Sequence, residues 1–299
     1  MTITESSTRV PHLALTLAAS ELGFHVHAGF LDALTKEAGI RPAHIGAASS
    51  GSYVGGLYAA GYDAQDIHRM LSRKEMLKSV IEWKGPLRGI GMLMNMRGFT
   101  GLVSGRKLAA HLRKYLGDHQ IEDCEAAELS LSVTNLSKGR PEIIKKGPLA
   151  DFIVASCSVP GLFKCQTIGG DAFCDGAVSD SSPFHHFLED PRVSQIMVHV
   201  VRHAERETHH PGPLTIANVF GQSHQIITDR LLDISLECGQ LKGRKVLVLT
   251  SVVPRYRWAK KGTPSILFEA GRQTVLKNIE QIHQAACRVK KTADFIPSL

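Results

Sequence analysis

The residues 47–51 read Ala47-Ala48-Ser49-Ser50-Gly51, and they set a serine between a short apolar run (43–48) and a run rich in Gly, Ala, Leu and Tyr (50–60). A hydroxyl on a sharp strand-to-helix turn is thrown into the open. The helix behind it aims unpaired N–H groups and a positive dipole end at the same spot. Both flanks must be small, because the turn brings them against the neighbouring strand and an incoming substrate. This is the logic of the nucleophile elbow, G-x-S-x-G. Only Ser49 has a glycine two places on (Gly51) and a small residue two places back (Ala47). The plainer reading makes Ser49 the N-cap of a small-residue helix.

A serine hydroxyl needs a base. Asp175, followed by Gly176 and Ala177 after a short apolar stretch, is the best candidate, since backbone N–H groups can hold such a carboxylate at the rim of a sheet. The plainer reading is an Asp-Gly turn. Fifteen histidines offer another source of base, with His25, His27 and His44 nearest to Ser49 in sequence. Each is read as packing or surface. The pairs His185-His186 and His209-His210 are weak metal hints and are not taken as a site. The six cysteines include no CxxC or Cys/His pairing, so no zinc site is expected, and they are read as reduced thiols of a cytoplasmic protein.

The elements that would position these groups follow from periodicity. Residues 12–17 and 43–48 read as strands, each followed at once by a helix, which predicts a parallel α/β sheet. Gly39 and Gly61 end the two helices, and Asp63 caps a third over 64–77. Further strands are expected at 129–135, 141–146, 194–201 and 244–253, and helices at 104–117, 214–240 and 265–289. Residues 1–10 read as a polar tail and 11–299 as a single domain. The Met-rich segment 76–99 has two readings, a cover over the core or a lid facing a membrane.

The chain has 299 residues, 43% hydrophobic and 21% charged, with a net charge of +7. That is a globular composition with a basic surface, suited to peripheral contact with an anionic membrane. No nucleic-acid module is present, the N-terminus does not read as a secretory signal, and no apolar run is long enough to span a bilayer.

Three segments in order resemble the patatin-like phospholipases: the opening strand, loop and helix (13–40), the elbow and its helix (46–62), and the run through Pro160, Gly161 and Phe163 to Asp175-Gly176-Ala177. The similarity runs from about residue 12 to 190, and residues 268–279 resemble the closing helix of some bacterial members. The resemblance implies a three-layer α/β/α sandwich with a mostly parallel central sheet. It also implies hydrolysis of lipid acyl esters through an acyl-enzyme, with Ser49 as nucleophile, Asp175 as its direct base, and no metal or organic cofactor. The family's glycine-rich oxyanion loop reads Leu17-Ala18-Ala19-Ser20-Glu21-Leu22-Gly23 here, with Leu and Ala in place of the glycines and without the usual basic residue. Ala18, Ala19 and Ser20 are the candidate donors. The rival reading is a patatin-fold protein that binds lipid or a partner with little or no catalysis.

Overall fold

In chain order the elements are β1 (Thr8–Leu17), α1 (Phe24–Lys36), β2 (Ile40–Ala48), α2 (Ser50–Ala59), α3 (Ala64–Leu71), α4 (Lys74–Val80), α5 (Gly85–Leu93) and β3 (Gly101–Val103). They continue with α6 (Arg106–Leu116), β4 (Glu128–Asn135), β5 (Arg140–Ile144), α7 (Leu149–Ser156), β6 (Gly161–Phe163), β7 (Gln166–Ile168) and β8 (Asp171–Asp175). The last are α8 (His185–Leu188), β9 (Gln195–His203), α9 (Ile216–Leu241), β10 (Val246–Val253), α10 (Thr263–Lys277) and α11 (Ile279–Cys287). The computed structural model describes residues 8–21, 23–82, 85–204, 216–241, 246–254 and 262–287.

The sheet runs β10-β9-β1-β2-β4-β8-β7, with β5 also on β4. The pairings from β10 to β4 are parallel, and those of β5, β7 and β8 are antiparallel. Successive side chains of a strand face opposite ways, and β1 divides accordingly. Leu13, Leu15 and Leu17 enter a core with α1, α2, α6 and α7, whereas Ala14 packs in a second core with Phe187 and Leu188 of α8 and Leu232 of α9. The result is the expected three-layer α/β/α sandwich.

The register explains how Ser49 and Asp175 meet. β4 pairs β2 through Glu128–Ser132 and pairs β8 from Val133 onward. β5 lies along Leu131–Asn135 on the other edge, so β2 and β8 share one edge of β4. Ala48 sits opposite Ser132 and Asp175 opposite Val133. Asp175 therefore arrives just where β2 leaves the sheet.

Helices α1 and α10 cross closely. An added Cβ on Gly29 would lie 1.8 Å from the carbonyl oxygen of Phe268, and one on Gly271 would lie 1.9 Å from that of Val26. The fully buried carboxylate of Asp32 pairs with Lys36 at 2.6 Å and with Arg272 across the crossing.

Several boundaries differ from expectation. Thr8, Arg9 and Val10 lie within the expected tail but pair with Ile40, Arg41 and Pro42, because the parallel ladder satisfies their backbone whatever their side chains. The helix expected over 64–77 is two, α3 and α4. The Ser72 hydroxyl donates to the His68 carbonyl at 2.8 Å and Arg73 turns extended, φ −74° and ψ 146°. The helix expected over 265–289 likewise breaks at Asn278, whose side chain donates to the Thr274 carbonyl at 2.8 Å.

Segment 76–99 divides. Met76 joins the core. Helix α5 instead packs on β3 through its small side, where an added Cβ on Gly89 would lie 3.4 Å from Leu102. Its apolar side faces outward: Leu93 is 88% exposed, and Leu87, Ile90, Met94 and Met96 are also exposed. These large apolar side chains do not enter the core, though the helix lies against β3, whose Val103 does.

Candidate active site

Ser49 is the hinge between β2 and α2. Its backbone stands at φ 51° and ψ −118°, and only Asn95 among the other described non-glycine residues has a positive φ. An L-residue resists such angles, and the surrounding structure has to hold them. The Ser49 N–H donates to Ser156 Oγ at 3.0 Å, and Ser156 in turn donates to the Ser132 carbonyl at 2.7 Å. With its own proton so used, Ser156 accepts from the Ser52 hydroxyl at 2.7 Å. The Ser49 carbonyl accepts from the Ser52 N–H at 2.9 Å and from the Cys157 thiol at 3.0 Å. Ser49 is thus not an ordinary N-cap, and its side chain makes no cap bond.

That side chain points instead to Asp175: Ser49 Oγ donates to Oδ2 at 2.7 Å. The other carboxylate oxygen accepts the Ala177 N–H at 2.8 Å, the turn bond expected after an Asp-Gly pair. Asp175 is fully buried. Burial pushes its carboxyl up to about 7, against the smaller pull of the bonds from Ala177 and Ser49. Thr134 anchors the main chain by donating to the Asp175 carbonyl at 2.8 Å.

The small residues have clear reasons. An added Cβ on Gly51 would lie 2.1 Å from the Leu17 carbonyl oxygen, and one on Gly176 would lie 2.4 Å from that of Ser132. Ala47 stands where the elbow pattern has its first glycine. Its methyl is fully buried and has room because the facing position in α2 is Gly55, whose own Cβ would sit 3.3 Å away.

The oxyanion loop departs from expectation. The Ala18 N–H donates to the His199 carbonyl at 3.1 Å, and the Ala19 N–H to the Ser181 carbonyl at 2.8 Å. Neither amide is available to a substrate in this arrangement, because each is taken by a main-chain carbonyl. The Ser20 N–H donates to Ser50 Oγ at 3.2 Å, and the two hydroxyls lie 3.1 Å apart. Ser20 is therefore the candidate whose amide faces the head of α2. The amides of Ser50 and Gly51 begin that helix and lie outside its own ladder.

Among the described residues, the histidines near Ser49 in sequence make no bond to Ser49 or Asp175. His25 meets His68, His27 meets His199, and His44 faces Glu128 at 3.4 Å. His185 and His186 lie against Phe184 and Phe187, and His209-His210 fall outside the described residues. No cluster of three His, Cys, Asp or Glu residues among the described ones could hold a metal. Sequence reasoning did not reach Ser52, Ser132, Ser156 and Cys157. Small polar residues in apolar runs carry no distinguishing signal, and their roles come from three separate elements meeting.

Residues 23–188 match the family described as patatin-like phospholipase. A lysophospholipase, NTE1, of Debaryomyces hansenii is 32% identical over 158 residues, which are 52% of this chain and 10% of that protein. An uncharacterized NTE family protein of Mycobacterium tuberculosis is 26% identical over 175 residues, 58% of this chain and 44% of that one. The chain thus spans about a tenth of the fungal relative and under half of the mycobacterial one. Among solved structures, VipD from Legionella pneumophila superposes with a TM-score of 0.52 at 13% identity, over 91% of this chain and 67% of that one. At that identity the likeness concerns the fold.

Proposed function

The chain belongs to the patatin-like phospholipase family, and from that premise we propose that it is a serine acyl hydrolase cleaving lipid acyl esters through Ser49 and Asp175. The observation that carries this reading is the hydroxyl of a strained elbow serine held 2.7 Å from a fully buried carboxylate. Ser49 Oγ attacks the ester carbonyl while Asp175 Oδ2 takes its proton. The carbonyl oxygen becomes an oxyanion. Its collapse expels the alcohol, which takes the proton from Asp175 and leaves an acyl-Ser49 ester. A water molecule then gives its proton to Asp175 and attacks the acyl carbon. Collapse releases the acid, and the proton returns to Ser49.

The oxyanion falls to the Ser50 N–H, the residue after the nucleophile, and to the Ser20 N–H once the Ser50 hydroxyl turns aside. The positive end of α2 adds to both. The commitment of the Ala18 and Ala19 amides favours one rival, a patatin-fold protein that binds lipid or a partner without turnover. A fluorophosphonate probe separates the two. Covalent labelling of the parent, lost in Ser49→Ala, is expected of the hydrolase; an unlabelled parent would favour the binder.

The substrate side is a lipid surface met from outside. No helix among the described residues is long and apolar enough to cross a membrane. The outward side chains of Leu87, Ile90, Leu93, Met94 and Met96 form an apolar face on α5 and the turn after it. Exposed Arg97 lies in the same segment, and exposed Lys164 directly follows β6, which pairs with β3. Each basic residue at an anionic surface contributes about 1 kcal/mol, screened within a Debye length. Each fully inserted apolar side chain contributes about 1.5–3 kcal/mol. Sedimentation with anionic vesicles is expected to exceed that with neutral vesicles and to fall as salt rises. Changing Leu93, Met94 and Met96 together to serine is expected to weaken it about tenfold or more. Equal sedimentation with both vesicle types would remove the electrostatic part of this reading.

A further inference from the structure

Two buried histidines that the proposed chemistry does not use are bonded to the loop beside the nucleophile. His27, on α1, and His199, on β9, are both fully buried. Their Nδ1 atoms lie 2.9 Å apart. His27 Nε2 lies 2.9 Å from the Ala18 carbonyl oxygen. His199 Nε2 lies 2.9 Å from Ser251 Oγ in β10, and that oxygen lies 2.6 Å from Thr274 Oγ1 in α10. Phe30 stacks flat on the His199 ring, at 3.9 Å between centroids.

Hydrogen-bond logic fixes the protons. A carbonyl oxygen only accepts, so His27 carries its proton on Nε2 and donates it to Ala18. Burial draws the His27 imidazole down to about 4 and holds that of His199 well below its ordinary value, so both rings are neutral near pH 7. A neutral His27 has a bare Nδ1, and His199 must donate to it. His199 Nε2 is then bare and accepts from the Ser251 hydroxyl, whose oxygen lies 2.6 Å from Thr274 Oγ1; the single Thr274 proton is shared between Ser251 and the Ala270 carbonyl at 3.1 Å. The bonds from Ser251 in β10 through His199 in β9 and His27 in α1 to the loop point the same way. The Ala18 peptide is gripped at both ends, since its own N–H donates to the main-chain carbonyl of His199.

We propose that His27 and His199 are positioning residues that clamp the main chain at Ala18 and thereby aim the Ser20 N–H at the head of α2, in a loop whose residues 17–21 include no glycine. The proposal rests in part on the reading of Ser49 as nucleophile, because the aimed amide serves the oxyanion. The clamp itself does not depend on that reading. With the loop held by these bonds, the side chains of Ala18 and Ala19 need only fit. The fixed geometry comes from the layer beneath.

The test has an arm that reads the loop and an arm that reads turnover. Hydrogen–deuterium exchange in the full chain follows the backbone of residues 17–21. His27→Phe, which fills the space without a donor, is expected to speed exchange there about tenfold or more. His27→Gln, whose amide nitrogen can still reach the Ala18 carbonyl, is expected to restore most of the protection. On a short soluble ester, His27→Phe should lower kcat about 10–100-fold with KM within about twofold, less than the roughly 10²–10³-fold of a donor lost outright because the amide is misaimed rather than removed, and Gln should recover it. Ser251→Ala serves if His27→Phe does not fold. Removing the donor to His199 two strands away should also speed exchange at 17–21. Parent-like exchange at 17–21 in folded His27→Phe, or in Ser251→Ala if the first does not fold, would overturn the clamp. Full turnover in Ser49→Ala would instead overturn the nucleophile and leave the exchange result standing.

Discussion

Replacing Ser49 with alanine is expected to lower kcat on a short acyl ester by at least about 10³–10⁴-fold. Asp175→Asn should lower it to a similar degree. The two act as one unit through a 2.7 Å bond, so the double variant should be about as inactive as either single one. The elbow supplies a control on stability. Ser49→Ala keeps a side chain at φ 51°, whereas Ser49→Gly also relieves that angle, worth about 1–3 kcal/mol. Ser49→Gly should therefore unfold at a higher temperature than Ser49→Ala, with both inactive. A parent-like rate in purified Ser49→Ala would place the nucleophile elsewhere. Equal melting temperatures would mean that the angle is not strained.

The pH dependence of Asp175 links activity and stability with opposite signs. The base must be ionised to take a proton. With its carboxyl at about 7, kcat/KM should rise tenfold per pH unit below 7 and level off above it. Stability runs the other way. In the unfolded chain this carboxyl ionises near 3.8, in the folded protein near 7. Between those values the folded state holds the extra proton, so stability falls as pH rises through the window. Above pH 7 the buried charge costs on the order of a few kcal/mol. Asn at 175 carries no charge, so Asp175→Asn should be more stable than the parent at pH 8, with the advantage shrinking toward pH 5. Urea unfolding of both proteins at the two pH values checks this. An advantage that does not change with pH would mean that Asp175 is not held near 7.

The parallel half of the sheet is legible in the sequence because β1, β2, β4, β9 and β10 are apolar runs bounded by polar turns. The Asp63 cap is legible too, since one side chain and the Gln65 N–H two residues on make the whole device. Strands β3, β6 and β7 have three residues each, too few for any period to show. The site divides in the same way. Ser49 and Gly51 can be read locally, since the elbow is a property of five residues. The bond from Ser49 to Asp175 joins positions 126 apart and depends on β4 lending one edge to two strands, which no local pattern encodes. The bonding of the Ala18 and Ala19 amides is not legible locally for a related reason. The acceptors that capture their amides, His199 and Ser181, lie far along the chain and are chosen by the sheet order.

The crossing of α1 and α10 has a consequence for how the molecule is made. Asp32 and Arg272 meet across 240 residues of chain. At a translation rate of roughly 5–20 residues per second, about 12–48 s pass between the two leaving the ribosome. For that interval Val26 and the Gly29 surface of α1 lack the helix that covers them, and the carboxylate of Asp32 lacks its arginine. The nascent chain thus carries an uncovered apolar groove with a charge in its floor until synthesis reaches α10. Its dependence on holding factors in the cell should be concentrated in that delay.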